Sequence, residues 1–112
     1  MTKMIAIIDY GTGNIHSVAK ALQLFGAKTI VADKAGQIEP CDKIVLPGVG
    51  AFDDAMLELQ KQGLKAAILK HIKNKKPFLG ICLGMQLLFE TSSEASRTKG
   101  FAMLKGSVER FS

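Results

Sequence analysis

The sequence predicts a three-layer, doubly wound α/β fold built on a parallel sheet, and three observations carry that expectation. Short apolar runs recur along the chain, at Met4-Ile5-Ala6-Ile7-Ile8, Thr29-Ile30-Val31-Ala32, Lys43-Ile44-Val45-Leu46 and Phe78-Leu79-Gly80-Ile81. Runs of this kind suit strands that are buried on both faces. Segments with apolar residues at helical spacing alternate with them, which implies βαβ crossovers and helices on both sides of the sheet. Glycines punctuate the junctions where a strand passes into a helix, and these junctions lie at the carboxyl ends of the strands, where such folds gather their ligands.

The first run closes on Asp9-Tyr10-Gly11. From Asn14 onward Ile15, Val18, Ala19, Leu22 and Phe25 keep a helical period, and Gly26 stands where a left-handed stop is expected. After the second run, the stretch from Asp33 to Asp42 is polar, carries Gly36 and Pro40, and reads mostly as connection. The third run ends in Pro47-Gly48-Val49-Gly50. The helix after it shows Phe52, Ala55, Met56 and Leu59 on one face, with Asp53 and Asp54 in the first turn, where acids are favoured. Gly63 separates it from a further helix marked by Leu64, Ala67, Ile68 and Ile72, and Pro77 leads into the fourth run. Cys82 follows directly. Leu83, Leu87, Leu88 and Phe89 suggest one more helix, Thr91 to Gly100 a loop, and Ser107 to Phe111 a last strand.

Length and composition limit what this fold can be. The chain has 112 residues, 47% of them hydrophobic and 22% charged, a balance that favours one folded domain over a disordered segment. No stretch approaches the roughly 20 apolar residues that span a bilayer, and Met1-Thr2-Lys3 leads straight into a strand instead of a signal peptide. A cytoplasmic, reducing setting is expected, with no membrane partner. Two cysteines in dissimilar surroundings, Cys41 and Cys82, do not make a disulfide framework. The net charge of +5 is lodged in the second half, where Lys70, Lys73, Lys75 and Lys76 cluster at a helix end. Cations there complement the macrodipole. No aromatic residues interleave with them to stack bases, so no nucleic-acid partner is expected.

Chemistry concentrates on Gly80-Ile81-Cys82-Leu83-Gly84. A thiol between a strand and a helix, with glycine two residues away on each side, has the form of a nucleophile elbow. The sharp turn lifts the side chain out of the sheet edge, small neighbours admit close backbone, and a helix N-terminus favours the thiolate. A buried cysteine ending a core strand would show the same isolated motif. The second glycine-rich turn, Pro47-Gly48-Val49-Gly50, weighs against that, because its backbone N–H groups could join the N–H of Leu83 around an oxyanion.

Gly80-Ile81-Cys82-Leu83-Gly84-Met85-Gln86 resembles the nucleophile motif of the class I, triad-type glutamine amidotransferases. Asp9-Tyr10-Gly11-Thr12-Gly13-Asn14 and Pro47-Gly48-Val49-Gly50-Ala51-Phe52 resemble segments of one subfamily, in the same order. The resemblance implies that Cys82 attacks the glutamine side-chain amide and forms a glutamyl thioester and ammonia. It implies that Gly48, Val49 and Leu83 surround the oxyanion and that Gly50 and Gln86 help hold glutamine. It implies no cofactor and no metal. In that subfamily the ammonia serves a (β/α)8-barrel cyclase subunit in histidine biosynthesis, and Asn14 would face that partner.

Family members continue for roughly as many residues again, about half a domain on the usual size scale. The chain is therefore expected to be the N-terminal part, residues 1–112, of a single amidotransferase domain with an incomplete flavodoxin-like sheet. It has no His-x-Glu pair, and His16 and His71 are expected at the surface, so the chain alone should not turn over glutamine. Two other readings remain. One is a flavodoxin-like phosphate- or nucleotide-binding module using Gly11-Thr12-Gly13-Asn14. The other is a different cysteine hydrolase of related fold built on Cys82. Cys41, between Pro40 and Asp42, is expected to be incidental.

Overall fold

A computed structural model describes residues 4–11, 14–93, 98–109 and 111. Met1 to Lys3, Thr12, Gly13 and Arg110, on which some expectations above fall, lie outside the described residues, as does the stretch 94–97. Four parallel strands form the main sheet: β1 (Met4–Ile8), β2 (Lys28–Ala32), β3 (Lys43–Leu46) and β4 (Phe78–Gly80), in the order β2-β1-β3-β4. Register places Ala6 beside Ile30 and Ile44, and Leu46 beside Gly80. All four carboxyl ends therefore point the same way, and the chain changes direction of travel between β1 and β3, the place where such sheets form a crevice.

Alternation along the strands sorts the side chains into two layers. Met4, Ala6, Ile8, Ile30, Ala32, Ile44, Leu46 and Phe78 share one face with the buried residues of α2 (Ala35–Ile38), α3 (Phe52–Lys61), α4 (Leu64–Lys73) and α5 (Leu83–Gln86). On that face Phe52, Leu59, Leu64, Ile68 and Leu87 are sealed from solvent. The opposite face carries Ile5, Ile7, Val45 and Leu79 and is covered by α1 (Ile15–Leu24), which packs on β1 and β2. The cover stops short of β4, where Leu79 is 53% exposed. The predicted three-layer α/β sheet is thus present.

Local chemistry explains the boundaries. Asn14 caps α1, its side-chain oxygen accepting the Ser17 N–H at 3.3 Å. Gly26 ends it at φ +83°, while the Ala27 N–H bonds back to the Leu22 carbonyl. Three expectations need correction. The stretch from Asp33 to Asp42 contains α2, whose Ile38 is buried; four residues are too few to show a helical period. The helix after Cys82 is a single turn, closing at Gln86, so a macrodipole acting on the thiol carries less weight than a long helix would give it. Thr91–Ser92 and Ser107–Val108 pair as a two-stranded parallel ladder, β5 and β6, where a loop and a longer strand were expected.

Candidate active site

The β4-to-α5 junction holds its cysteine in a conformation that a side chain rarely adopts. Cys82 has φ +55° and ψ −118°, and the Gly84 N–H returns to the Ile81 carbonyl at 3.0 Å. This closes a tight turn with Cys82 as its first central residue, a place usually taken by glycine. Such a conformation costs about 1–3 kcal/mol and persists only where its surroundings enforce it. The enforcement is visible. The Ile81 N–H bonds to the Leu46 carbonyl at 3.0 Å, and the Gln86 N–H to the Cys82 carbonyl at 3.2 Å. A Cβ on Gly84 would collide with the Leu46 carbonyl, and one on Gly80 would come within 2.8 Å of Gly84 backbone. The two glycines of the motif let β4, α5 and the end of β3 close around the turn, and the thiol is exposed at the sheet's carboxyl edge.

The Pro47-to-Gly50 turn lies at the same edge, on the neighbouring strand. Its Gly48 carbonyl accepts the Leu83 N–H at 3.2 Å, so the two glycine-rich turns touch at the residue after Cys82. In this arrangement the Leu83 donor is taken up by protein. Pro47 and Gly48 are buried, whereas Val49 is 62% exposed and Gly50 is exposed at φ +103°. Beneath the turn sits Tyr10, fully buried, whose hydroxyl donates to the Pro47 carbonyl at 2.7 Å. The sequence offers Tyr10 as the close of a strand and as part of a segment that resembles one subfamily, without a role at the site. Its signal was the alternation Ala6, Ile8, Tyr10, which continues the buried face two residues beyond β1.

The remaining predicted residues fall as follows. Gln86 is half-buried on α5, one turn beyond Cys82. Asn14 is exposed at the start of α1, with its side-chain oxygen engaged as a cap. His16 is exposed on α1, which packs on the far two strands of the sheet. His71 departs from expectation: it is only 4% exposed, and its Nε2 lies 3.0 Å from the Pro77 carbonyl. The carbonyl can only accept, so Nε2 carries the proton there. Pro77 leads into β4 and Cys82 follows it, which puts His71 and Cys82 at opposite ends of the sheet.

Cys41 also lies at that far end. It is a core residue at 1% exposure, its thiol donating to the Gln37 carbonyl at 3.4 Å. Burial pushes its pKa up from the ordinary 9.0; the Asp42 carboxylate adds to the rise and Lys76 opposes it. A surface concavity of about 570 Å³ opens between α2 and α4 beside His71 and Lys76, and Cys82 is not among its lining residues. Among the described residues no group of His, Cys, Asp and Glu is placed to hold a metal ion, and no helix is long and apolar enough to cross a membrane.

With this geometry in place, comparison with known proteins is informative. The chain is 52% identical over 108 residues to the imidazole glycerol phosphate synthase subunit HisH of Halalkalibacterium halodurans, covering 96% of this chain and 50% of that protein. The subunit of the same name from Thermosynechococcus vestitus is 50% identical over 107 residues, with 96% and 51% covered. The chain thus spans about half the length of the curated relatives it matches. Among solved structures, a glutamine amidotransferase superposes with a TM-score of 0.81 at 18% identity, over 95% of this chain and 56% of that one. A putative peptidase E from Listeria monocytogenes superposes at 0.67 and 19% identity, over 79% and 50%; at such identities these two speak for the fold alone. The sequence profile of the class-I glutamine amidotransferases matches residues 6–109, from the first buried strand through the cysteine turn to the last strand, and the chain belongs to that family.

Proposed function

We propose that Cys82 is the nucleophile of a glutaminase, and that the chain contributes it to an imidazole glycerol phosphate synthase like those of its relatives. One observation carries the reading: an exposed thiol, held in a strained turn at the sheet's carboxyl edge, beside a second turn that meets the very next N–H.

The chemistry follows from the placement. The Cys82 sulfur adds to the side-chain carboxamide carbon of glutamine, and negative charge gathers on the former carbonyl oxygen. Collapse expels ammonia, with a proton supplied to the departing nitrogen, and leaves a glutamyl thioester that water cleaves to glutamate. Leu83 N–H and the backbone around Gly48 and Val49 are the donors nearest the developing charge. Leu83 N–H is bonded to the Gly48 carbonyl, so that carbonyl must be displaced before the donor can serve. Gly50, in the second turn, and Gln86, one turn beyond Cys82 on α5, would hold the rest of glutamine. Asn14, the cap at the start of α1, would face the (β/α)8-barrel cyclase partner that receives ammonia.

Neither described histidine can exchange protons with the sulfur: His71 lies at the other end of the sheet, and His16 on a helix over other strands. The chain by itself should therefore release no ammonia catalytically, because proton delivery and water activation are absent. A glutamine-analogue chloroketone is expected to modify Cys82 and not Cys41, with free glutamine protecting. Modification indifferent to glutamine would overturn the substrate assignment, and steady, Cys82-dependent ammonia release by the 112-residue chain would overturn the statement about turnover.

A further inference from the structure

The geometry points to Tyr10 as the positioning residue that seats the Pro47-to-Gly50 turn against the cysteine turn, an inference that rests on the glutaminase reading of that site. Tyr10 belongs to neither turn. It reaches the site from β1, the strand beside β3, and it grips the turn at two points. Its hydroxyl donates to the Pro47 carbonyl at 2.7 Å, wholly out of solvent. The tip of its ring lies against the Gly48 backbone so closely that a Cβ at Gly48 would meet the hydroxyl and stand 3.4 Å from Cζ.

The next residue contact passes the grip onward. Gly48 gives its carbonyl to the Leu83 N–H at 3.2 Å, and Leu83 follows Cys82. The path from Tyr10 to the nucleophile is therefore two hydrogen bonds with Gly48 between them, ending on the peptide that joins Cys82 to Leu83. The Pro47–Gly48 peptide, held by the phenol, is the fixed point about which the Gly48–Val49 peptide is oriented. Without the hydroxyl, the Pro47 carbonyl loses a buried donor and the turn loses its reference to the sheet. Phenylalanine fills the same space, so the substitution removes the bond and leaves the ring's packing in place.

The test uses the whole 112-residue chain, unsubstituted and as Tyr10→Phe. Amide hydrogen exchange is followed at Leu83, with Ile81 and Leu87 as internal references. In the same samples Cys82 is modified by a glutamine-analogue chloroketone, whose reaction develops charge on oxygen, and by iodoacetamide, whose reaction does not. Losing one buried hydrogen bond should speed Leu83 exchange about tenfold. Because the Gly48 carbonyl that occupies the Leu83 N–H is then displaced more easily, the ratio of chloroketone to iodoacetamide rates should rise about tenfold, with the iodoacetamide rate itself unmoved.

Unchanged Leu83 exchange, or a ratio that does not rise, overturns the assignment. If Leu83 responds while the chloroketone shows no glutamine-protected preference even in the unsubstituted chain, Tyr10 stands as the anchor and the glutaminase reading falls. Should Tyr10→Phe not fold, Gly48→Ala presses on the same contact from the other side and is expected to shift both readouts in the same directions. Where the two variants can be combined, the double substitution should shift both readouts by less than the sum of the singles, because the new methyl enters space the hydroxyl left; strict additivity counts against the contact.

Discussion

At the carboxyl end of the sheet Cys82 is exposed, strained and surrounded by backbone, while at the amino end Cys41 is sealed, relaxed and surrounded by side chains. The difference lies in how each end is closed. Around Cys82 the chain closes through main-chain contacts: Ile81 to Leu46, Gly84 to Ile81, Leu83 to Gly48. Around Cys41 side chains join the main-chain bonds of Cys41 to Ile38 and Asp42 to Met4: the Lys76 ammonium on the Cys41 carbonyl at 3.4 Å, His71 on the Pro77 carbonyl, and the thiol on the Gln37 carbonyl. Backbone closure permits no added atoms but leaves a side chain free to react. Side-chain closure tolerates substitution but leaves nothing reactive in solvent.

The sharpest way to break this contrast is to add one methyl group at the carboxyl end. Gly84→Ala would drive a Cβ into the Leu46 carbonyl, where neither strand nor turn can yield, and should cost more than about 4 kcal/mol or abolish folding. Urea unfolding followed by circular dichroism gives the number. Gly36→Ala in α2, where a Cβ meets nothing within 4 Å, should be neutral or stabilise by up to about 1 kcal/mol. A mild loss at Gly84 would mean that the cysteine turn is far looser than its contacts describe.

Next in size is the difference in thiol reactivity. Cys82 should react with iodoacetamide at least about a hundredfold faster than Cys41, since a sealed thiol reacts only when the structure opens. Peptide mass spectrometry over a time course separates the two, and Cys82→Ala should remove the fast phase completely. Comparable rates would show that the amino end opens as readily as the carboxyl end.

His71 tests whether side-chain closure matters at all. Replacing it by alanine removes a buried ring and its bond to the Pro77 carbonyl, but that carbonyl also accepts the Ile44 N–H at 3.1 Å and is not left bare. A loss of about 2 kcal/mol is expected in urea unfolding, below the full cost of an orphaned group. The iodoacetamide rate of Cys82 should not change, because the sheet separates the two sites.

How much of this was legible beforehand depended on the length of each signal. The strands announce themselves as apolar runs, and the motif around Cys82, which alone also fits a buried cysteine ending a core strand, is readable because a second glycine-rich turn, Pro47 to Gly50, accompanies it. That the glycines admit close backbone is readable too, but not which backbone: for Gly84 it is that of Leu46, far away in sequence, and for Gly80 that of Gly84 and Met85. His71 was misjudged by its lysine-rich neighbours, although it stands three residues after Ile68 and seven after Leu64, on the face those two bury. Tyr10 was hidden for a related reason: the strand's alternation runs past the end of its ladder. Cys41 was dismissed because α2 is too short to show its period, and it is α2 that supplies the Gln37 carbonyl to the thiol.

The smallest effect concerns pH, and its sign follows from burial. The folded state raises the Cys41 pKa above the ordinary 9.0, so the unfolded chain surrenders this proton first as pH increases. Stability from this group is complete below about pH 9 and declines as pH rises toward the folded value. The informative quantity is a difference: the alkaline fall in the urea midpoint should be shallower in Cys41→Ala than in the unsubstituted chain. Identical slopes for the two would mean that the amino end admits water around Cys41, and the contrast between a sealed and an open cysteine would lose its energetic content.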